Sequence, residues 1–341
     1  MSDASPVPDP AAAPPLRWGI LAPGGIANKF AEAVRDFTAG RVVAVASRDA
    51  ERAAEFARRH GIPKAYAGYE QLCADPEVDA VYVASPHSHH RDHAVLMAAA
   101  GKHLLIEKAL ARNEIEVDEI FAAAGAAGVF AMEAMWTRHL PHIAVIRRWL
   151  AAGRIGEVVT VSADHGQSLD LGPGHRLKNP DLAGGALLDL GVYPVAFVLD
   201  LLGEPEQVVA VGHLTETGVD ATVAVTLRYR DPMLGLAGCT LKVKTPTTAV
   251  ICGTSGRIEL DGDFYGPTVA RLLGPGKRPE VLAEFDGRVP NGFQFEIAEV
   301  ARCVAVGLTE SDRMSWAGSR AVIRVLDSAR RQVGVRYPGE G

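Results

Sequence analysis

Cysteine and excess positive charge are both scarce in this chain. Its 341 residues include four cysteines, at positions 73, 239, 252 and 303, without metal-ligand spacing. This scatter excludes a disulfide-stapled secreted domain and favours reduced thiols in a cytoplasmic protein. Because 35 Lys and Arg stand against 41 Asp and Glu, the formal net charge is −6, which offers no footprint for nucleic acid.

Long apolar runs are missing as well. We find no stretch that approaches the ~20 apolar residues of a membrane span, so we expect no membrane partner. The first 15 residues, MSDASPVPDPAAAPP, lack a basic start and carry prolines throughout. They predict a disordered Pro/Ala tail rather than a secretory signal. The remaining length is sufficient for two domains with a sizeable core.

The first half alternates apolar runs with amphipathic segments. The runs that predict strands are 17–21, 41–46, 78–84, 103–108 and 129–132, and helical patterns lie between them. This alternation predicts right-handed βαβ units and a parallel, dinucleotide-binding sheet. In such a sheet the first and fourth strands are neighbours, so we expect the turn after Leu21 and Lys108 to share one crevice.

The turn between the first strand and the first helix is a variant of the phosphate-binding fingerprint G-x-G-x-x-G/A. Its three positions are Ala22, Gly24 and Ala27, and Gly25 is an extra glycine. Gly24 lets the backbone approach a pyrophosphate, and the next helix, whose apolar face begins at Ile26, supplies N–H groups. Ala22 replaces a glycine, so we expect its turn to avoid positive φ. The alternative is a glycine-rich turn that binds nothing.

The end of the second strand points to NADP. An NAD site usually has Asp or Glu here to accept from the ribose 2′-hydroxyl, whereas this chain has Ser47-Arg48. A guanidinium with a neighbouring hydroxyl can hold a 2′-phosphate. A compatible alternative is that Ser47 or Asp49 caps the next helix while Arg48 is solvated, and NAD stays an alternative cofactor.

Several motifs occur in a recognisable order. Strand–APGGIA–helix is followed by SRD, ASPHSHHRDHA, GKHLLIEKAL, MEAMWTRHLP, HRLKNPDLAGGALLDLGVYP and GLTESDRMSW. Over residues 16 to 338 they resemble the Gfo/Idh/MocA oxidoreductase family, in particular its branch of dimeric dihydrodiol dehydrogenases and NADP-dependent xylose dehydrogenases.

The resemblance implies an α/β fold with two domains. An N-terminal Rossmann domain that binds NADP would cover 16–135, and an α/β domain with a large, mostly antiparallel open sheet would cover 136–341. The second domain would bind the substrate and build a homodimer or higher homo-oligomer. The pattern agrees, with apolar runs bounded by turn residues at 157–163, 207–213, 219–229, 236–243, 247–252 and 256–260, and helical patterns at about 292–306 and 317–333.

The resemblance also implies the site residues. Lys108 and Tyr193 would be the catalytic pair, Asp189 would position the substrate, and Trp136 and Arg176 would line its pocket. The cofactor contacts would be Ala22, Gly24, Gly25, Ile26, Ser47, Arg48, Ser85, Pro86, His90, Glu107 and Lys108. No metal is expected, because the histidines at 87, 89, 90 and 93 have no carboxylate or cysteine at ligand spacing.

Asp189 and Tyr193 lie four apart in an apolar stretch that predicts a buried helix, so their side chains would share a face near a kink at Pro194. A phenol with a pKa of about 10 is a poor base at neutral pH, and a nearby ammonium lowers that pKa. We therefore assign Tyr193 as general acid/base and Lys108 as its electrostatic activator, and the reverse assignment stays open. Without the resemblance, Lys108 is a surface lysine paired with Glu107, Tyr193 a core-edge tyrosine and Trp136 a core residue.

Three positions depart from the family pattern. Ala109 replaces the proline of Glu-Lys-Pro. If relatives hold a cis bond there, Ala109 would need ~3–4 kcal/mol to copy it, so we expect a different local backbone. His87 stands where an asparagine is usual, and His139 where an aromatic residue is usual.

The expected activity is NADP-dependent hydride transfer between nicotinamide and a sugar, a polyol or a cyclic trans-dihydrodiol. One alternative is a catalyst with a tightly bound cofactor, such as an aldose oxidoreductase or a nicotinamide-dependent glycosidase. Another is a dinucleotide-sensing regulator without catalysis. The sequence leaves the substrate open, because selectivity among polyols depends on a few hydrogen bonds from loops.

Overall fold

A computed structural model of the chain describes residues 7 to 340 except 170, 171 and 173. The chain divides into two compact units. One contains residues 8–136 and 291–320, and we call it the parallel-sheet unit. The other contains residues 137–290 and those from 321 onward, together with Val7, and we call it the antiparallel-sheet unit.

The parallel-sheet unit is built mainly from strands that alternate with helices. Its elements up to residue 136 are β1 (Arg17–Leu21), α1 (Gly25–Phe37), β2 (Arg41–Ser47), α2 (Ala50–His60), β3 (Lys64–Ala67), α3 (Glu70–Ala74), β4 (Ala80–Val83), α4 (His90–Ala99), β5 (His103–Glu107), α5 (Glu114–Ala127) and β6 (Ala131–Ala134). The six strands are parallel in the order β3-β2-β1-β4-β5-β6. The predicted Rossmann-type sheet is confirmed.

The antiparallel-sheet unit carries a larger sheet. The elements that follow are α6 (Pro141–Ala151), β7 (Val158–Gly166), α7 (Val192–Leu202), β8 (Gln207–Leu214), β9 (Asp220–Arg228), β10 (Leu234–Thr240), β11 (Ala249–Gly253), β12 (Gly256–Leu260), β13 (Val269–Leu273), β14 (Val281–Asp286), α8 (Gln294–Ala305) and α9 (Trp316–Val333). Its eight strands lie in the order β14-β13-β12-β11-β7-β10-β9-β8, and the β7–β10 pair is parallel while the other pairs are antiparallel. The predicted open, mostly antiparallel sheet is also confirmed.

Apolar side chains on both faces explain the centre of the parallel sheet. All four residues of β4 are buried, as are four of the five in β1 and in β5. Strands of this kind need helices over both faces. Phe30 of α1 supplies such cover, because its ring stacks on Tyr82 at 4.0 Å and meets Trp18 edge-on at 5.2 Å. The predicted helix face is only partly buried, since Ile26 is 38% exposed.

The predicted neighbourhood of Lys108 is wrong in one respect. β1 pairs with β2 and β4, so β4 lies between β1 and β5, the strand that ends just before Lys108. The error arises because the sequence pattern missed β3, whose four residues are all half-buried or exposed. Without β3 the strand that ends at Lys108 is counted as the fourth strand instead of the fifth.

Other differences are local. The described part of the expected N-terminal tail is not frayed, since Pro10–Ala12 form a 3-10 turn and Ala13 is buried. Arg302 of α8 donates to the carbonyl of Asp9 at 2.8 Å, which helps to hold this segment. Residues 291–320 pack with the parallel-sheet unit, although the sequence placed them in the second domain. The pattern also missed α6, β13 and β14.

The helix that carries Asp189 and Tyr193 has an irregular start. Residues Leu187–Gly191 form π-helical turns, and the α-helical part begins at Val192. Pro194 has no amide hydrogen, so the regular ladder of hydrogen bonds cannot pass through it, and wider turns before it accommodate the gap. The predicted buried helix is confirmed, but its turn at Asp189 is wider than the α-helical turn we expected.

This region also qualifies the expectation about apolar runs. The helical stretch Pro180–Leu202 is long and apolar enough to cross a membrane by length and composition. However, 94% of its most apolar window is buried inside the protein, as in the core helix of a globular domain.

The expectation that Ala22 avoids positive φ is wrong, because its φ is 60°. A left-handed alanine costs ~1–2 kcal/mol, whereas glycine adopts this conformation without that cost but loses more entropy on folding. We expect Ala22→Gly to raise the free energy of unfolding by about 0–1 kcal/mol in urea denaturation. Ala27→Gly, inside α1, should lower it by about 1 kcal/mol. A loss in Ala22→Gly as large as in Ala27→Gly would contradict the left-handed geometry.

Candidate active site

The turn after β1 leaves room for a ligand. Gly24 is extended and precedes α1, and among the described residues no side chain caps the N-terminus of this helix. A Cβ atom added at Gly24 or Gly25 would have no protein atom within 4 Å, so protein packing does not require glycine at either position. Open space beside uncapped N–H groups at a helix N-terminus suits an anionic pyrophosphate.

The end of β2 presents a cation. Ser47 is buried, and its Oγ accepts from the amide of Asp49 at 3.1 Å. Asp49 in turn accepts from the amides of Glu51 and Arg52, so it caps α2 as the alternative interpretation expected. Arg48 is exposed. The side chain offered at this strand end is therefore a guanidinium.

Histidine side chains hydrogen-bond to the residues that follow β4. His90 is fully buried, and its Nε2 lies 2.7 Å from the carbonyl oxygen of Ser85. Its Nδ1 lies 3.0 Å from the carbonyl oxygen of Ala109, so both ring nitrogens face backbone. Burial lowers the pKa of His90 to about 4. His90 is thus enclosed by the backbone that follows β4 and β5. Because the residue is fully buried, the structure does not support the expected direct contact between His90 and the cofactor.

Ser85 and Pro86 follow β4 at the same edge of the sheet. The hydroxyl of Ser85 is bonded to Nδ1 of His93 at 2.9 Å, and burial lowers the pKa of His93 to about 4. Among the described residues no group of three or more His, Cys, Asp or Glu side chains is arranged to hold a metal ion.

Lys108 follows β5 on a firmly held backbone. Its amide donates to Oε2 of the buried Glu107 at 3.2 Å, and the phenol of Tyr82 donates to Oε1 of the same carboxylate. The carbonyl of Lys108 lies 3.2 Å from Nε2 of His87. The Lys108–Ala109 peptide is cis, although alanine was not expected to copy a cis bond at this position. The Lys108 side chain is half-buried at the carboxyl edge of the parallel sheet.

Trp136 is a packed residue of the same unit. It is 5% exposed, and its ring meets Phe293 edge-on at 4.8 Å. The ammonium of Lys29, from α1, lies 5.2 Å from the ring centroid, a cation–π distance. Nearly all of the Trp136 surface is therefore packed against neighbouring protein atoms.

The antiparallel-sheet unit gathers the other predicted residues. Arg176 donates to Oδ1 of Asp189 at 3.0 Å, and the Arg176 side chain is 46% exposed while that of Asp189 is 12% exposed. Tyr193 is buried, with its ring centroid 4.7 Å from that of Tyr265 and 5.5 Å from that of His165. A carboxylate, a guanidinium and three rings thus lie around one helix start.

Sequence reasoning missed two members of this group. His165 and Tyr265 stack at 4.3 Å, and Nε2 of His165 lies 3.0 Å from Nε2 of Gln167. His165 had a signal, because it shares the buried face of β7 with Val161 and Ala163, where apolar residues are expected. Tyr265 lies in a turn and offered no periodic signal.

Comparison with known proteins places the chain in a family. Residues 16–135 match the oxidoreductase family with an NAD-binding Rossmann fold, and residues 143–259 match the GFO/IDH/MocA C-terminal domain. The chain belongs to the Gfo/Idh/MocA family. It is therefore an NAD(P)-binding oxidoreductase, as the resemblance of its motifs implied.

Curated relatives in this family are similar over nearly their whole length. A trans-1,2-dihydrobenzene-1,2-diol dehydrogenase from Danio rerio is 42% identical over 331 residues, which cover 94% of this chain and 98% of the relative. The enzyme of the same name from Mus musculus is 39% identical, with 95% and 98% covered.

Solved structures of the family share the fold. A 3-ketoreductase from Actinomadura kijaniata, KijD10, in complex with NADP and TDP-benzene, has a TM-score of 0.84 at 27% identity, with 94% of this chain and 98% of that chain covered. An aldose-aldose oxidoreductase from Caulobacter crescentus, complexed with glycerol, has a TM-score of 0.82 at 25% identity, with 93% and 97% covered.

Proposed function

We propose that this Gfo/Idh/MocA protein is an NADP-dependent dehydrogenase that oxidises a secondary or anomeric hydroxyl of a sugar, a polyol or a cyclic trans-dihydrodiol. The observation that carries the proposal is the group around Tyr193. Aromatic rings suit the apolar face of a cyclic substrate, and the Asp189–Arg176 pair can bind its hydroxyls. The names of the similar enzymes, which act on dihydrodiols, ketones and aldoses, agree with this substrate class.

The proposed chemistry assigns one task to each residue. Tyr193 would accept the proton of the substrate hydroxyl, and the carbon that bears this hydroxyl would lose the hydride. Lys108 supplies positive charge for the developing alkoxide, and Asp189 orients the substrate. Burial raises the pKa of the neighbouring Tyr265, so that phenol stays protonated near neutral pH and does not compete as the base. NADP would supply the hydride acceptor when bound, and the turn at Ala22, Gly24, Gly25 and Ile26 would hold its pyrophosphate.

Removing the base should abolish turnover without unfolding the protein. We expect Tyr193→Phe and Lys108→Ala each to lower kcat/KM by at least about 100-fold, since a positioned acid/base contributes 10²–10⁴-fold. NADPH formation at 340 nm with a panel of aldoses, polyols and a trans-dihydrodiol measures this, and unchanged circular dichroism and thermal unfolding confirm that the variants are folded. If both residues act on one hydroxyl, the double variant loses less than the product of the single losses.

The matched control is Tyr229→Phe, which removes a buried phenol that donates to the carbonyl of Gly203 at 3.0 Å. It should keep its turnover. Full activity of Tyr193→Phe would overturn the assignment. A wild-type protein that keeps its cofactor through purification and does not release NADPH would favour the tight-cofactor catalyst, which the likeness to an aldose-aldose oxidoreductase keeps open. NADPH binding without any turnover would favour a regulator.

We also infer that the cofactor is NADP, because the exposed side chain at the end of β2 is Arg48 and the nearby Asp49 is used as a helix cap. A charge-assisted hydrogen bond is worth 1.5–3 kcal/mol, so Arg48→Gln should raise the KM for NADP by about 10- to 100-fold and leave the KM for NAD nearly unchanged. Arg59→Gln, which removes an exposed guanidinium from the opposite end of α2, is the control. Equal losses with both cofactors would contradict the inference.

The protein is further proposed to be a cytoplasmic homodimer. Its four cysteines are free, as suits a reducing compartment. On the face of the large sheet opposite α7, β8 exposes Val209 and Val211, and β10, on the other side of β9, exposes Leu234 and Leu236. Exposed apolar side chains grouped on one sheet face suit an interaction surface.

A charge among these exposed apolar side chains should separate the subunits. Val211 is 68% exposed, so Val211→Glu should fold normally but convert a dimer to a monomer in light scattering after gel filtration. Ile115→Glu is the control, since Ile115 is 72% exposed on α5. A dimer that persists in Val211→Glu and dissociates in Ile115→Glu would place the interface elsewhere.

A further inference from the structure

The segment before Asp189 contains two glycines that the surrounding backbone requires. A Cβ atom on Gly184 would lie 2.6 Å from the carbonyl oxygen of Leu177, and one on Gly185, where φ is 115°, would lie 2.3 Å from Oδ1 of Asp220. The amide of Gly185 donates to the carbonyl of Leu177 at 2.9 Å. The glycine pair is therefore a junction that fixes the position of the loop after Arg176.

The same junction is joined to the start of the site helix. Asp220 is fully buried at the beginning of β9, and its Oδ2 accepts from the amide of Leu187 at 2.6 Å. Leu187 opens the π-helical turns that carry Asp189. Asp220 thus holds the start of this helix through a backbone hydrogen bond. Arg176, in the loop that precedes the helix, pairs with Asp189.

The C-terminal segment, residues 335–340, closes this arrangement. Tyr337 is 2% exposed, and its phenol donates to the carbonyl of Gly184 at 2.6 Å. The Arg330 guanidinium lies 4.6 Å from the centre of the Tyr337 ring and pairs with Glu340. The amide of Tyr337 donates to Oε2 of the same Glu340 at 3.0 Å. The burial of its ring and the Arg330–Glu340 ion pair therefore hold Tyr337 in place, and its phenol hydrogen-bonds to the glycine junction.

We propose that the C-terminal segment is a positioning element for the Arg176–Asp189 pair, with Tyr337 as its positioning residue. Arg176 stands eight residues before Gly184 and Asp189 five residues after it. A shift of the junction therefore moves both partners of the pair. The effect on substrate binding rests on the proposed function, whereas the effect on the backbone of residues 176–187 does not.

Tyr337→Phe removes one hydroxyl and leaves the carbonyl of Gly184 buried without that donor. We expect the KM for the sugar or diol to rise about 3- to 10-fold, the scale of one lost hydrogen bond, with kcat changed less than about 2-fold and the KM for NADP unchanged. Glu340→Gln, which weakens the anchor and keeps the phenol, should raise the same KM by a smaller factor.

Tyr229→Phe is again the matched control, because its phenol is buried and also donates to a glycine carbonyl, that of Gly203. Both variants should lose comparable thermal stability, which removes stability as the explanation. An unchanged substrate KM in Tyr337→Phe, or the same rise in Tyr229→Phe, would overturn the proposal.

Hydrogen–deuterium exchange provides a readout that needs no substrate. Peptides covering residues 176–187 should exchange faster in Tyr337→Phe than in wild type, and should be unchanged in Tyr229→Phe. If the wild-type protein turns over none of the sugars or diols, the proposed function fails and this comparison still decides the coupling. Equal exchange in all three proteins would overturn it.

Discussion

The site depends on one requirement, that backbone groups leaving a buried strand still find hydrogen-bond partners. The carbonyls from Lys108 to Leu110 all lie within 3.2 Å of ring nitrogens of His87 or His90. His90 also faces the carbonyl of Ser85, so one imidazole ties the ends of β4 and β5 together. A half-buried lysine on such a backbone can hold its ammonium in a defined place, which a free loop at the same edge could not do. Two histidines that a motif search would assign to a ligand instead serve the backbone.

In the antiparallel-sheet unit a buried carboxylate and a buried phenol, instead of histidines, hydrogen-bond to the backbone groups. Asp220 and Tyr337 are buried polar groups whose partners are the backbone of residues 184–187 rather than other side chains. Burial raises the pKa of Asp220 to about 6, since the amides that it accepts from do not fully replace water. In each unit, then, buried polar side chains fix a short irregular segment, and a residue proposed for chemistry lies in that segment or shortly after it.

Much of the fold could be predicted from the sequence. The patterns that indicate its elements, such as a fully apolar strand or a capped helix, reflect large contributions to stability. β1, β4 and β5 bury nearly every side chain, and α2 begins at a capping aspartate and ends at a left-handed glycine, so these elements could be predicted. β3 alternates without a fully buried residue and was missed. Ala22 was mispredicted because the left-handed conformation costs alanine only ~1–2 kcal/mol. This cost is smaller than the stabilisation from the neighbouring hydrogen bonds that hold the turn. Its amide bonds to Ala46 of β2, and the preceding Leu21 accepts from the residue after β4, so the end of β1 is held on both sides.

The residues that are hardest to foresee are those that set the surroundings of Tyr193. Asp189 and Tyr193 could be found because they are polar in an apolar helix, yet the π-helical turn that sets their spacing follows from Pro194 and from packing, which sequence periodicity does not report. His165 breaks an apolar strand face, whereas Tyr265 lies in a turn where polar residues are ordinary. Burial keeps the phenol of Tyr265 protonated, and the Asp263 and Asp189 carboxylates act in the same direction. Two phenols with centroids 4.7 Å apart can therefore hold different tasks, one exchanging a proton and the other offering a fixed donor and an aromatic face to the substrate.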